Sequence, residues 1–135
     1  MSTPAPVIKI EYYSTGELYI KSWSVNKEFH REDGPAVIIY FMSGKPKVHS
    51  YMRDGKHHRV DGPSLTQWNE DGTLRREHYY RNGNRHRADG PAVIVYEPNG
   101  DITNLYYRDD VQLDASAFAD LVPDTPEWAL TYEIL

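Results

Sequence analysis

The sequence predicts a mainly β protein, an antiparallel meander of about three and a half tandem β-hairpin repeats of 28 residues. Three observations carry this prediction. The motif His-Arg-any-Asp-Gly-Pro occurs three times at one spacing, and glycine and aromatic residues follow the same spacing. No segment of residues 10–108 has the periodicity of a long helix. We expect one or two short helices to cap the array at its C-terminal end.

The repeated motif is interpreted as a structural corner between hairpins. It consists of His30, Arg31, Asp33, Gly34 and Pro35; of His58, Arg59, Asp61, Gly62 and Pro63; and of His86, Arg87, Asp89, Gly90 and Pro91. We expect the glycine to take φ values closed to other residues, and the proline to begin a strand. The Asp is suited to accept backbone N–H bonds, and the Arg to bind the Asp or neighbouring carbonyl groups.

Each unit is predicted to form a strand, a glycine-centred turn, a second strand and a further turn. Four columns of residues at the 28-residue interval support this interpretation. They are Gly16, Gly44, Gly72 and Gly100; Tyr12, Tyr40, Trp68 and Tyr96; Trp23, Tyr51, Tyr79 and Tyr107; and the turn residues Asn26, Asp54, Asn82 and Asp110. Because side chains alternate along a strand, Val37, Leu65 and Val93 should face away from Tyr40, Trp68 and Tyr96.

The chain divides into an N-terminal extension (1–9), the hairpin array (10–112) and an acidic helical C-terminal cap (113–135). Asp114 is a plausible N-cap for a first helix, and Thr125 with Pro126 for a second. The net charge is −5, yet every Lys and Arg lies within residues 1–108. The acidic tail is expected to dock on its own body, although its charge asymmetry also suits an external role.

No feature of the sequence indicates an enzyme, a cofactor or a metal site. There are no cysteines, and the motif histidines stand one per hairpin, hence about 10 Å apart, which is too far to share one metal ion. No serine or threonine column accompanies them as a nucleophile. The N-terminus lacks the pattern of a signal peptide, and no apolar run is long enough to cross a bilayer, so a cytoplasmic location is expected.

A basic and aromatic strip is the candidate binding surface. It comprises Arg53, Lys56, Arg81, Arg85, Tyr79 and Tyr80, and Arg and Tyr are enriched among interface hot spots. We therefore expect a non-catalytic protein-binding module, such as a phage-type or immunity-type accessory that binds and modulates another protein. The same arginines would alternatively pair with acidic residues of their own or neighbouring repeats.

Two other functions stay open, namely nucleic-acid or anionic-lipid binding through the arginine row, and self-association through an exposed edge strand. A pI near 5.6 argues against the first, so neither nucleic acid nor membrane is expected as a partner.

The pattern of glycine, aromatic and turn residues resembles MORN-type repeats. The resemblance covers about residues 10–112 and is carried by Gly44, Tyr51, Gly55, Gly62, Gly72, Tyr79, Gly83, Gly90, Gly100 and Tyr107. The His-Arg-any-Asp-Gly-Pro core is similar to the MORN-like variant found in uncharacterised bacterial, phage and giant-virus proteins. The unit here is longer than the common MORN unit. The resemblance implies a β-hairpin array, and the roles ascribed to MORN arrays are membrane-lipid binding and scaffolding.

Overall fold

The computed structural model describes residues 4–121 and shows a β-rich chain with a short C-terminal helix. Strands contain 47% of these residues and helix 6%, which confirms the predicted mainly β fold with a short C-terminal helix. The second helix predicted at Thr125 and Pro126 lies outside the described residues. The elements are β1 (Val7–Tyr12), β2 (Leu18–Val25), β3 (Glu28–Phe29), β4 (Val37–Tyr40), β5 (Pro46–Ser50), β6 (Met52–Arg53), β7 (Lys56–His57), β8 (Leu65–Trp68), β9 (Leu74–His78), β10 (Tyr80–Arg81), β11 (Asn84–Arg85), β12 (Val93–Tyr96), β13 (Ile102–Arg108), β14 (Val111–Leu113) and α1 (Ala115–Leu121). In the described range no helix has the length and apolar character that crossing a membrane requires.

The main sheet follows the chain from one end to the other. Its order is β1-β2-β4-β5-β8-β9-β12-β13-β14, and β3 pairs with the end of β2. All neighbours are antiparallel, which confirms the predicted meander. The first strand starts at Val7, within the segment predicted as an N-terminal extension. In this order β1 forms one edge of the sheet, and β14 forms the other.

Small hairpins line one end of the main sheet. They are β6–β7, β10–β11, the end of β2 with β3, and the end of β13 with β14. Each turns through two residues with positive φ, as type I′ turns require: Asn26 and Lys27, Asp54 and Gly55, Asn82 and Gly83, and Asp109 and Asp110. Each small hairpin after the first donates a backbone N–H to the one before it, through Gly55 to Phe29, Gly83 to His57, and Asp110 to Arg85.

The opposite end of the sheet carries the glycine turns that the sequence predicts. Gly16, Gly44, Gly72 and Gly100 have φ of +100°, +89°, +89° and +93°. Nothing lies within 4 Å of the position that a Cβ would occupy at any of them. Backbone conformation alone therefore explains why glycine stands at these four positions.

The motif glycines have a different explanation from the one predicted. Gly34, Gly62 and Gly90 are absent from the residues with positive φ, so the expectation that they need a special backbone conformation is wrong. Instead, a Cβ at these positions would lie 2.9 to 3.0 Å from the guanidinium carbon of the motif arginine. A side chain at these positions would have to displace the guanidinium group, which lies directly over the backbone.

The last hairpin of the main sheet differs from the earlier ones by one residue. In β1–β2, β4–β5 and β8–β9 a β-bulge leaves one residue of the second strand without a partner. These residues are Tyr19, Lys47 and Arg75, 28 positions apart. The pair β12–β13 has no such bulge. Consequently, each structural position along the rest of β13 is filled by the residue one number lower than the 28-residue spacing predicts.

This shift corrects two of the predicted columns. The aromatic residue stands three positions before the first turn residue, as Tyr51 does before Asp54. In the last hairpin the first turn residue is Asp109 rather than Asp110, so the matching aromatic residue is Tyr106 rather than Tyr107. The hydrogen bonds of the residues that follow the motif prolines show the same shift. Ala36 N–H donates to Ser50 O and Ser64 N–H donates to His78 O, so the 28-residue spacing predicts residue 106 as the next acceptor. Ala92 N–H donates to Leu105 O instead.

Few side chains are fully buried. The residue after each motif proline is small and has no exposed surface, as Ala36, Ser64 and Ala92 show. Around Ala92 pack Val93 and Tyr107, which are also buried. Most other strand residues are half-buried. The sheet therefore depends on its backbone hydrogen bonds and on the contacts that the motif corners make with successive hairpins.

Candidate functional site

Each motif arginine makes the same three contacts. Its Nε donates to the motif aspartate, at 2.9 Å in Arg31–Asp33 and 3.2 Å in both Arg59–Asp61 and Arg87–Asp89. Its Nη1 donates to the carbonyl oxygen of the motif proline, at 3.1 Å to Pro35 and 3.2 Å to Pro63 and Pro91. Its guanidinium carbon lies 3.8 to 4.0 Å from the ring centre of Trp23, Tyr51 or Tyr79. Hydrogen bonds and cation–π contacts thus engage all three arginines within the fold.

The motif histidines link each hairpin to the next. The Nδ1 atoms of His30, His58 and His86 accept the backbone N–H of Asp54, Asn82 and Asp109 at 3.1, 3.0 and 3.0 Å. An imidazole nitrogen accepts only while it is unprotonated. Burial lowers the pKa of His58 and of His86, which favours the neutral form that these links need.

A groove opens between the first two corners. It has a volume of about 480 Å³ and is lined by residues 31–34, 51–53 and 58–61, which we call the central groove. The corresponding space between the second and third corners is only about 40 Å³. There Tyr80 stands where the central groove has Met52, and its ring stacks on His57 at 4.9 Å. The central groove is therefore the roomier of the two spaces between corners.

The structure divides the predicted basic and aromatic strip. Arg81 pairs with Asp109 at 3.3 Å, and Arg85 pairs with Asp110 at 3.1 Å. The hydrogen bonds from the Arg85 backbone and side chain lower the pKa of Asp110. Arg85 also lies 4.2 Å from the ring centre of Tyr107. These two arginines belong to the contact between the last two small hairpins.

The two predicted tyrosines are also engaged within the fold. The ring of Tyr79 lies under the guanidinium group of Arg87, and that of Tyr80 stacks on His57. Burial raises the pKa of both phenol groups. Four of the six predicted binding residues are therefore held by neighbours in the chain.

Arg53 and Lys56 remain as the exposed part of the strip. They stand directly opposite each other in β6–β7, and both are exposed. Within residues 4–121 neither forms an ion pair. For Arg53 the cause lies in the following hairpin, because Asn82 occupies the turn position at which Asp109 meets Arg81. The difference between Asn82 and Asp109 is visible in the sequence once the one-residue shift is known.

Three histidines outside the motif were not singled out from the sequence. Burial lowers the pKa of His49, His57 and His78. His57 Nδ1 lies 3.1 Å from Ser50 Oγ, and both ring nitrogens of His78 are buried without a hydrogen-bond partner. Ser50 is only 4% exposed, so its hydroxyl group is not accessible to a substrate.

Residues 4–121 contain no group of three or more His, Asp or Glu side chains placed to hold a metal ion. Comparison with known proteins finds no matching protein family, no similar curated protein and no similar solved structure. The resemblance to MORN-like repeats is therefore carried by the residues of this sequence alone and stays a prediction.

Proposed function

We propose that this chain is a non-catalytic protein-binding module, and that the hairpin β6–β7 binds an acidic segment of a partner protein. The observation that carries this proposal is the pair Arg53 and Lys56. Two like charges directly opposite each other destabilise a strand pair. Within the described residues neither cation has an ion-pair partner, so a carboxylate of the partner would relieve this repulsion.

The surroundings of this pair suit a protein partner. Arg53 also lines the central groove, where Met52 is half-buried and Val60 is 45% exposed. Three carboxylates also line the groove: Asp33 and Asp61 are paired with their motif arginines, and Glu32 lies 3.4 Å from the Nε2 atom of His30. The groove thus offers apolar surface beside a cation without an ion-pair partner among residues 4–121, the combination of apolar centre and polar rim that is common at protein interfaces.

Binding rather than catalysis also fits the polar contacts of the described chain. The serine–histidine contact between Ser50 and His57 has the atoms of a nucleophile and a base, but its hydroxyl group is buried. The repeated His of the motif accepts a backbone N–H of the next hairpin, and the repeated Asp accepts from the arginine of its own motif. A nucleophile must be reachable by its substrate, and neither arrangement meets that condition.

The proposal is tested by NMR titration of the protein with a hexaglutamate peptide. We expect chemical-shift changes in the amides of Met52, Arg53 and Lys56. The double change Arg53→Glu with Lys56→Glu should weaken binding about tenfold or more, because two attractive contacts become repulsive. The matched control is Lys45→Glu with Lys47→Glu, which makes the same change of charge at the glycine-turn end of the sheet and should leave binding unchanged.

A single substitution sharpens the test without removing either cation. Asn82→Asp places a carboxylate where Asp109 stands relative to Arg81, and should therefore pair with Arg53 and compete with the peptide. Equal weakening by the control variant would show that only net charge matters. If a single-stranded oligonucleotide or phosphatidylserine vesicles bound more tightly than the peptide with the same dependence on Arg53 and Lys56, the nucleic-acid or lipid alternative would replace this proposal.

A further inference from the structure

The two edges of the main sheet differ in their cover. At one edge, the edge strand β14 has only three residues, and Phe118 of α1 packs on Tyr106 of the neighbouring β13 with ring centres 4.7 Å apart. At the other edge, all six residues of β1 are exposed. The large apolar side chains there are Val7, Ile8, Ile10 and Tyr12, with 65%, 52%, 44% and 63% of their surface exposed. A long edge strand with apolar side chains is a template for further strand pairing.

The side chains of β1 are complementary to a second copy of the same strand. Val7, Lys9 and Glu11 share one face, and Ile8, Ile10 and Tyr12 share the other. When two such strands run antiparallel about a two-fold axis at Ile10, Lys9 of each copy faces Glu11 of the second copy. On the opposite face Ile8 meets Tyr12 of the second copy, and the two Ile10 side chains meet each other.

We propose that two copies of this chain pair through β1 in this register, and so form one continuous sheet across a two-fold axis. The register is chosen by charge, since an axis at Lys9 would place the two lysines opposite each other. The contact is isologous and occupies the β1 edge of both copies, which stops the assembly at a dimer. Six residues of strand bury less surface than a standard interface, so the dimer is weak and depends on concentration.

The test is a charge exchange followed by sedimentation analysis over a concentration series. The wild-type chain should approach twice its mass of 15.6 kDa as concentration rises. Lys9→Glu alone places two carboxylates opposite each other at each contact, and Glu11→Lys alone places two ammonium groups there, so each variant should weaken dimerisation about tenfold. An equimolar mixture of the two variants pairs opposite charges at both contacts and should restore the dimer.

Lys45→Glu is the matched control, because it makes the same change as Lys9→Glu far from β1 and should leave the dimer intact. A wild-type chain that stays monomeric at all concentrations would overturn the proposal, and so would a mixture that fails to restore the dimer. If Glu11→Lys had no effect on dimerisation, Glu11 would not face Lys9 of the second copy and the proposed register would be wrong. The variant Arg53→Glu with Lys56→Glu should dimerise normally, which separates this inference from the proposed function.

Discussion

The interior corners and the last hairpin cover the same kind of aromatic ring with different side chains. At Trp23, Tyr51 and Tyr79 a motif arginine lies over the ring and is held by its aspartate and a proline carbonyl. At Tyr106 no further motif follows, and Phe118 of α1 packs on the ring instead. The aromatic ring is therefore packed against another side chain in every hairpin, but that side chain need not be charged. At the end of the array an apolar side chain of α1 takes the place of the motif arginine.

The strongest test of the interior joint is Gly62→Val. The new side chain would collide with the guanidinium group of Arg59, because even a Cβ would lie 3.0 Å from its central carbon. The arginine would leave the Tyr51 ring and the Pro63 carbonyl, at a cost of about 4 kcal/mol from overpacking and lost contacts. Urea denaturation of the variant measures this loss.

A double-mutant cycle identifies the cause of that loss. If the collision matters, Gly62→Ala should destabilise the wild-type chain clearly but cost little when Arg59→Ala has already removed the guanidinium group. Equal costs in both backgrounds would show that the backbone at Gly62 needs glycine for another reason.

The cover of the last hairpin is tested by Phe118→Ala. Removing a buried phenylalanine ring costs about 3 kcal/mol, somewhat less than the collision at Gly62. The loss should be local, since only Tyr106 and its neighbours lose their cover. Native-state hydrogen exchange should show faster exchange in β13 and β14 with little change in β4 and β5. Leu121→Ala, at an exposed position of the same helix, is the control and should cost less than about 0.5 kcal/mol.

The smallest expected effect on stability comes from protonating the motif histidines, which link the interior hairpins and the last hairpin in the same way. Burial lowers the pKa of His58 and His86 below the ordinary value of 6.5, and the same holds for His49, His57 and His78. The unfolded chain therefore takes up protons first as the pH falls below 6.5, and the free energy of unfolding decreases. Above that value the contribution of these groups is fully present.

The measurement is the melting temperature between about pH 7.5 and about pH 5, which should fall with pH. A rising or constant melting temperature in this range would contradict the assignment of neutral histidines. The two links also differ, because Asp109 raises the pKa of His86 against the effect of burial. Asp109→Asn should accordingly lower the pKa of His86, and NMR titration of the imidazole signals would show whether His58 is left unchanged.

The sequence was sufficient for the long strands of the main sheet, the glycine turns and the order of the sheet, because periodic side chains encode them directly. It predicted only a turn where the structure has the small hairpins β6–β7 and β10–β11. It was not sufficient for the register of the last hairpin. Tyr106 is followed by Tyr107, and Asp109 by Asp110, so either register places the same residue types at the same positions. The missing β-bulge in β12–β13 decides between them, and no residue type marks its absence.

The candidate site was predicted in part for a related reason. The basic residues of the strip were found from composition, but their partners lie about one hairpin further along the chain, as with Arg81 and Asp109. The prediction that Gly62 has positive φ is wrong, because the sequence does not distinguish a glycine required by its backbone conformation from a glycine required by a close neighbouring side chain. The φ angle of Gly62 and the position of the Arg59 side chain separate the two cases.

The link between a motif histidine and the next turn has a consequence for how this surface can diversify. The donor is a main-chain amide in each case, whether the turn residue is Asp54, Asn82 or Asp109. The hydrogen bond therefore does not use the turn side chain, and Asn and Asp can replace each other at this position of positive φ without removing it. The same fold can therefore present a different exposed side chain at the turn of each small hairpin.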